Sequence, residues 1–156
     1  MGSSVNTAQP RVYLDTNVFI TAFEHAGARS DHAWWVLEAV EDGEIIGATS
    51  EITLAEVLVK PMERGATDLA NAYEKMIRPG PNFEILPVSR DVLVAAAGIR
   101  ARRSSVRLPD AVHIATARAL DCAAFVSDDR RLRVPEDMRL LELNAFTLDD
   151  ILGERP

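Results

Sequence analysis

Four acids in this 156-residue chain stand where a carboxylate can do chemistry: Asp15, Glu56, Asp110 and Asp129. Val12-Tyr13-Leu14 is an apolar run without polar alternation, as in a strand buried on both faces. It stops abruptly at Asp15-Thr16-Asn17. Ala123-Ala124-Phe125-Val126 stops in the same way at Ser127-Asp128-Asp129. Ligands of parallel sheets gather at the carboxyl ends of strands, where both groups of acids fall. Glu56 belongs to a helix from Glu51 to about Val59, capped by Ser50 and expected to stop at Pro61. Ile52, Ala55, Glu56 and Val59 share one face of it, and Leu54, Val57 and Leu58 are also apolar, so the helix is expected to be mostly buried. A carboxylate in that setting needs a partner, a proton or a metal. Asp110 follows Leu108-Pro109 at the opening of a helix from Ala111 to Leu120, and His113, one turn on, is placed to orient it. Each acid also suits a plainer role. Asp15, Asn17, Ser127 and Asp128 are good turn and cap residues, and Asp110 meets the positive end of a helix dipole.

If the four converge, the metal-free site is costly. Two carboxylates about 5 Å apart repel by roughly 3 kcal/mol at an effective dielectric near 20. Divalent cations remove that cost, and an all-oxygen donor set suits Mg²⁺ or Mn²⁺ rather than Zn²⁺. Arginines cluster in Arg100, Arg102, Arg103 and Arg107 and again in Arg130, Arg131 and Arg133, whereas lysine occurs only as Lys60 and Lys75. Carboxylate-held Mg²⁺ beside arginines is the equipment for phosphodiester hydrolysis. The same arginines also suit solvated helix faces.

Helical and strand signals alternate along the chain, which argues an α/β domain with a parallel sheet. Residues 1–10 are polar and expected to form a loose arm, with one domain over 11–156. The formal net charge of −7 speaks against a generic basic nucleic-acid binder. No apolar run is long enough to cross a bilayer, and Cys122 is the only cysteine, so intramolecular disulfides are excluded. These points favour the cytoplasm. Neither a Gly-rich phosphate loop with lysine, a Gly-x-Ser-x-Gly elbow nor zinc-ligand spacing occurs.

Four stretches carry a family resemblance in order: Leu14-Asp15-Thr16-Asn17-Val18-Phe19-Ile20, Ser50 to Leu58, Leu108 to Ala117, and Phe125-Val126-Ser127-Asp128-Asp129-Arg130-Arg131-Leu132. Together they resemble PIN-domain ribonucleases, especially VapC-like toxins of bacterial toxin–antitoxin pairs. The resemblance implies a three-layer α/β/α fold with a central parallel sheet in strand order 3-2-1-4-5. It also implies metal-dependent RNA hydrolysis with one or two Mg²⁺ or Mn²⁺ ions, leaving 5′-phosphate and 3′-hydroxyl ends. Asp15, Asp110 and Asp129 would bind metal, and Glu56 would do so through water or orient the attacking water. Thr16 and Asn17 would hold Asp15 or a phosphate, Ser127 stands where many members have Thr, and Asp128 is open to sharing the metal. Arg107, Arg130 and Arg131 are the expected RNA contacts. A homodimer and a small antitoxin partner are implied too. One competing reading is a haloacid-dehalogenase-like phosphatase, which wants a second Asp where this chain has Asn17. The other is a PIN-like module that binds without catalysis.

Overall fold

The computed structural model describes residues 9–143 and 146–152. Five strands form one sheet: β1 (Arg11–Leu14), β2 (Ile46–Ser50), β3 (Phe83–Leu86), β4 (Ala124–Ser127) and β5 (Arg139–Glu142). Their order is β3-β2-β1-β4-β5, and every pairing is parallel. The helices are α1 (Thr16–Glu24), α2 (Ala28–Glu41), α3 (Glu51–Glu63), α4 (Thr67–Met76), α5 (Arg90–Arg102), α6 (Leu108–Ala119) and α7 (Leu148–Leu152). From β1 the chain builds outward through β2 to β3, then returns to the other side for β4 and β5. The order therefore reverses between β1 and β4, and a crevice opens beyond their carboxyl ends. Asp15 directly follows β1, and Asp129 lies two residues past β4.

β1 is central and, past the exposed Arg11, buried, so its side chains serve both faces. Val12 and Leu14 join a core with Phe19, Val36 and Tyr73, under α1, α2 and α4. Tyr13 points the other way, into a core with Phe125 and Ile114 beneath α6. Val92 and Ala96 of α5 pack on Ala111 and Ala115 of α6, where small side chains allow close approach.

Two boundaries differ from expectation. α3 runs through Pro61 to Glu63, because a proline in the last turn forfeits only one helical hydrogen bond. The stop is set by Gly65 at φ +65°: Gly65 N donates to Met62 O (3.3 Å) and Ala66 N to Pro61 O (2.8 Å), closing the end with a left-handed residue. By residue type Ser30 or Asp31 can cap a helix over His32 to Glu41, but α2 begins at Ala28, because Gly27 at φ +94° turns the chain directly out of α1. Of the arm expected over residues 1–10, residues 1–8 lie outside the described residues. Pro10 O accepts from Ile46 N at 3.0 Å.

Gly47 marks a tight packing point in β2. A Cβ there would stand 2.8 Å from a Val40 methyl and 2.9 Å from the Phe83 ring. Gly47→Ala is therefore expected to destabilise the fold by about 1–3 kcal/mol. Chemical denaturation would show this as a lower midpoint at unchanged slope; an unchanged midpoint would mean that α2 can move away from the sheet freely.

Candidate active site

Asp15 caps α1 and ties it to β4. Its Oδ1 accepts from Thr16 N (2.8 Å), and its Oδ2 accepts from Ser127 Oγ (2.6 Å). Ser127 Oγ also accepts from Asn17 Nδ2 (3.2 Å) and from Asp129 N (3.1 Å). Asn17 Oδ1 accepts from Asp128 N at 3.3 Å. The hydroxyl of Ser127 thus joins both strand ends, and Asn17 reaches Asp15 only through it. Asp15 is 9% exposed. Burial raises its pKa, the nearby Glu56 charge adds to the rise, and His113, Ser127 and the Thr16 N–H offset part of it.

Glu56 is not buried as its apolar neighbours implied. Its side chain is 35% exposed, since α3 buries only Thr53, Val57 and Pro61 and turns its other faces toward the surface. Its Oε1 accepts from Thr16 Oγ1 (2.9 Å) and from His113 Nε2 (2.6 Å). Burial acts to raise the Glu56 pKa, but the His113 hydrogen bond and charge, with Thr16 and Arg107, outweigh it and hold the carboxyl below its ordinary value.

His113 is 2% exposed and is aimed at Glu56 rather than at Asp110. Spacing along α6 pointed to Asp110, but the carboxylate that reaches the ring comes from α3. The Nδ1 of His113 lies 2.6 Å from Tyr13 Oη, and its Nε2 lies 3.8 Å from Asp15 Oδ1. A carboxylate only accepts, so Nε2 carries the hydrogen, and in the neutral ring Nδ1 accepts from Tyr13 O–H. Burial pushes the His113 pKa down; the Glu56 hydrogen bond and the charges of Asp15, Glu56 and Asp110 overcome this and raise it. Tyr13 was not singled out from sequence. The available signal was a hydroxyl in a strand buried on both faces, which must find a partner.

Asp110 and Asp129 line one cleft of about 390 Å³ together with Arg103, Arg107 and Arg131. Asp110 Oδ2 lies 3.5 Å from Arg107 Nε. Asp129 Oδ1 accepts from Arg131 N at 3.0 Å. Asp128 turns away to an ion pair with Arg29 at the start of α2, a residue the sequence did not flag. Arg130 pairs with Glu142 at 3.0 Å. The arrangement therefore links Asp15 to Glu56 through Thr16 and His113, links the Asp15 carboxylate to the Asp129 backbone N–H through Ser127, and puts Asp110 and Asp129 on one cleft.

The donors are hard oxygens, and the buried Asp15 is held near a second carboxylate, so the chemistry fits a hard divalent cation. Among the described residues no three His, Cys, Asp or Glu side chains stand together as a ready metal cluster. Asp110 and Asp129 line the cleft, while Asp15 and Glu56 are joined through Thr16 and His113, each acid held by a hydrogen bond or ion pair.

This chain belongs to the PIN domain family, whose sequence profile matches residues 12–137. No curated protein matches it. Among solved structures it is similar to VapBC2 from Rickettsia felis, a complex bound to a DNA fragment from its promoter, with 16% identity over 85% of this chain and 98% of the other, TM-score 0.63. It is also similar to a toxin–antitoxin complex from Klebsiella pneumoniae, with 22% identity over 81% and 94%, TM-score 0.61. A third is VapC20 of Mycobacterium tuberculosis, a sarcin–ricin loop cleaving toxin, with 19% identity over 73% and 86%, TM-score 0.60. These likenesses carry the fold. Among the described residues no helix is long and apolar enough to cross a membrane.

Proposed function

We propose that this chain is a ribonuclease that hydrolyses RNA phosphodiester bonds with Mg²⁺ or Mn²⁺, and that it is the toxin of a toxin–antitoxin pair acting in the cytoplasm. The observation that carries this reading is that Ser127 Oγ ties the Asp15 carboxylate to the backbone N–H of Asp129, with Glu56 fixed alongside by His113, at the reversal point of the sheet. In this reading Asp15, Asp110 and Asp129 hold one or two ions, and Glu56 takes part through water. The metal supplies charge neutralisation at the phosphate and a water of lowered pKa.

The chain's own groups then have defined tasks. Thr16 N–H and Ser127 Oγ hold both oxygens of Asp15, so its rotamer is set before any ligand arrives. His113 keeps Glu56 ionised and turned toward the crevice, as an acceptor that can orient the attacking water. Arg107 and Arg131, on the rim of the cleft with Asp110 and Asp129, are the guanidinium groups nearest the acids for a phosphate. Arg130 pairs with Glu142 and does not line that cleft, so it contributes less. Asp128 is committed to Arg29, so Asp128→Asn should slow RNA cleavage by less than about tenfold, the scale of an exposed ion pair. A loss as large as that of Asp129→Asn, in the same cleavage assay, would instead make Asp128 a metal ligand.

A homodimer and a small antitoxin with a basic tail complete the proposal. Its support is that several similar structures are toxin–antitoxin complexes, at identities that carry the fold alone. The phosphatase reading requires Asp15 as a nucleophile that becomes phosphorylated; family membership and the absence of a second Asp at position 17 speak against it. The test is incubation of total RNA with the protein in Mg²⁺, Mn²⁺ or EDTA, beside identically purified Asp15→Asn protein. Metal-dependent cleavage by the wild type alone supports the reading; equal cleavage by both refutes it.

A further inference from the structure

A second pocket, of about 210 Å³, opens beside the acidic cleft and is rimmed by Arg102, Arg103, Arg118 and Arg133 over a floor that includes Ile99 and Ile114. Arg102 and Arg103 come from the end of α5, Arg118 from the last turn of α6, and Arg133 from the segment between β4 and β5. All four are exposed. No carboxylate lines this pocket. Among the described residues none of the four guanidinium groups makes an ion pair or a side-chain hydrogen bond. This is unexpected in a chain of net charge −7, where acids are available to neutralise a basic cluster. Four like charges without counterions repel, and an anion between them would relieve that repulsion.

Arg103 and Arg133 also line the cleft that holds Asp110 and Asp129, so the two pockets share a wall. We infer that the four-arginine pocket binds a backbone phosphate of single-stranded RNA away from the bond being cut, and so sets the path of the strand across the molecule. This inference rests on the ribonuclease reading of the neighbouring cleft. Guanidinium forks recognise phosphate oxygens in bidentate fashion, and the apolar floor between them suits the ribose and base of one unpaired nucleotide. The pocket is too small for a duplex, which favours a single strand.

The test uses Arg102→Gln/Arg118→Gln protein, because these two residues line this pocket and not the acidic cleft. Binding is measured with a fluorescein-labelled mixed-sequence single-stranded RNA of roughly twelve nucleotides. Asp15→Asn protein in Mg²⁺ is the parent, so that nothing is cut. The double substitution is expected to weaken binding about tenfold at low salt. It should also reduce the slope of log affinity against log salt by about 0.7 for each phosphate that is no longer neutralised. Arg→Lys at both positions should restore most of the slope. In the otherwise intact enzyme the double substitution should raise KM for RNA and leave kcat unchanged. Unchanged affinity and slope would overturn the inference, as would arginine-dependent binding of inorganic pyrophosphate or of a polyglutamate peptide with none of RNA. Arginine-dependent RNA binding by a protein that cuts no RNA would uphold the pocket and defeat the nuclease reading; cleavage with an unaltered KM would do the reverse.

Discussion

Asp15→Asn is expected to lower RNA cleavage at least about a thousandfold, and adding Asp110→Asn or Asp129→Asn in the same chain should cost little more. The expectation follows from the geometry. The Asp15 carboxylate and the Asp129 backbone N–H meet at the Ser127 hydroxyl, and Asp129 and Asp110 share a cleft; in the proposed reading all three acids serve the same bound ion or ions. Groups that act as a unit do not lose their effects additively. Glu56→Gln should also be severe, because it removes the charge that His113 faces. His113→Ala should be milder, since Thr16 Oγ1 still donates to Glu56. Single-turnover cleavage by the single and double variants measures this directly. Multiplying losses would show that the acids act independently and would remove the shared-ion account.

The second large effect is on stability. A cation that binds only the folded state stabilises by RT ln(1 + [L]/Kd), about 2.7 kcal/mol at a hundredfold excess over Kd. For a domain of this length that is a rise in Tm of about 5–10 °C. Asp15→Asn should abolish most of the rise while making the metal-free protein more stable at neutral pH. The direction comes from burial, which raises the Asp15 pKa above that of the unfolded chain. Its ionisation in the folded state then costs stability as pH rises from the ordinary value toward the raised one, and the cost is absent below the ordinary value of 3.8. The advantage of Asp15→Asn should therefore shrink as the pH falls toward that value. Thermal melts in EDTA, Mg²⁺ and Mn²⁺ across pH decide it. A metal-insensitive wild type, or a variant less stable at every pH, would argue that the carboxylate is held for packing alone.

The strand ends of the site were readable because their signals are local. Val12-Tyr13-Leu14 has no polar alternation, and β1 is buried on both faces, so the break at Asp15 had to be a strand terminus. The order 3-2-1-4-5 came from the family resemblance; periodicity alone does not pair strands. What stayed hidden depends on groups far apart in sequence. The ring of His113 meets Glu56 and Tyr13, 57 and 100 residues away, whereas spacing offered only Asp110. The apolar residues around Glu56 implied burial, but Leu54 and Leu58 are only half-buried and its side chain is 35% exposed, with its carboxylate held by Thr16 and His113. Pro61 read as a stop because proline forfeits a helical hydrogen bond, whereas the left-handed Gly65 is what ends α3. Arg102 and Arg103 were visible as a basic run, but Arg118 and Arg133 join them only once α5, α6 and the segment before β5 are packed.

The most direct test of the central claim is the chemistry of the RNA ends. Attack by water at the proposed site of Asp15, Asp110, Asp129 and Glu56, with the metal these acids would hold, would leave a 5′-phosphate and a 3′-hydroxyl. Total RNA cleaved in Mg²⁺ or Mn²⁺ should give fragments that ligate through their 5′-phosphates without prior kinase treatment. The same RNA should stay intact in EDTA and with Asp15→Asn protein. Fragments bearing 5′-hydroxyl and 2′,3′-cyclic phosphate ends, produced equally in EDTA, would mean that the RNA's own 2′-hydroxyl is the nucleophile, and would contradict the account.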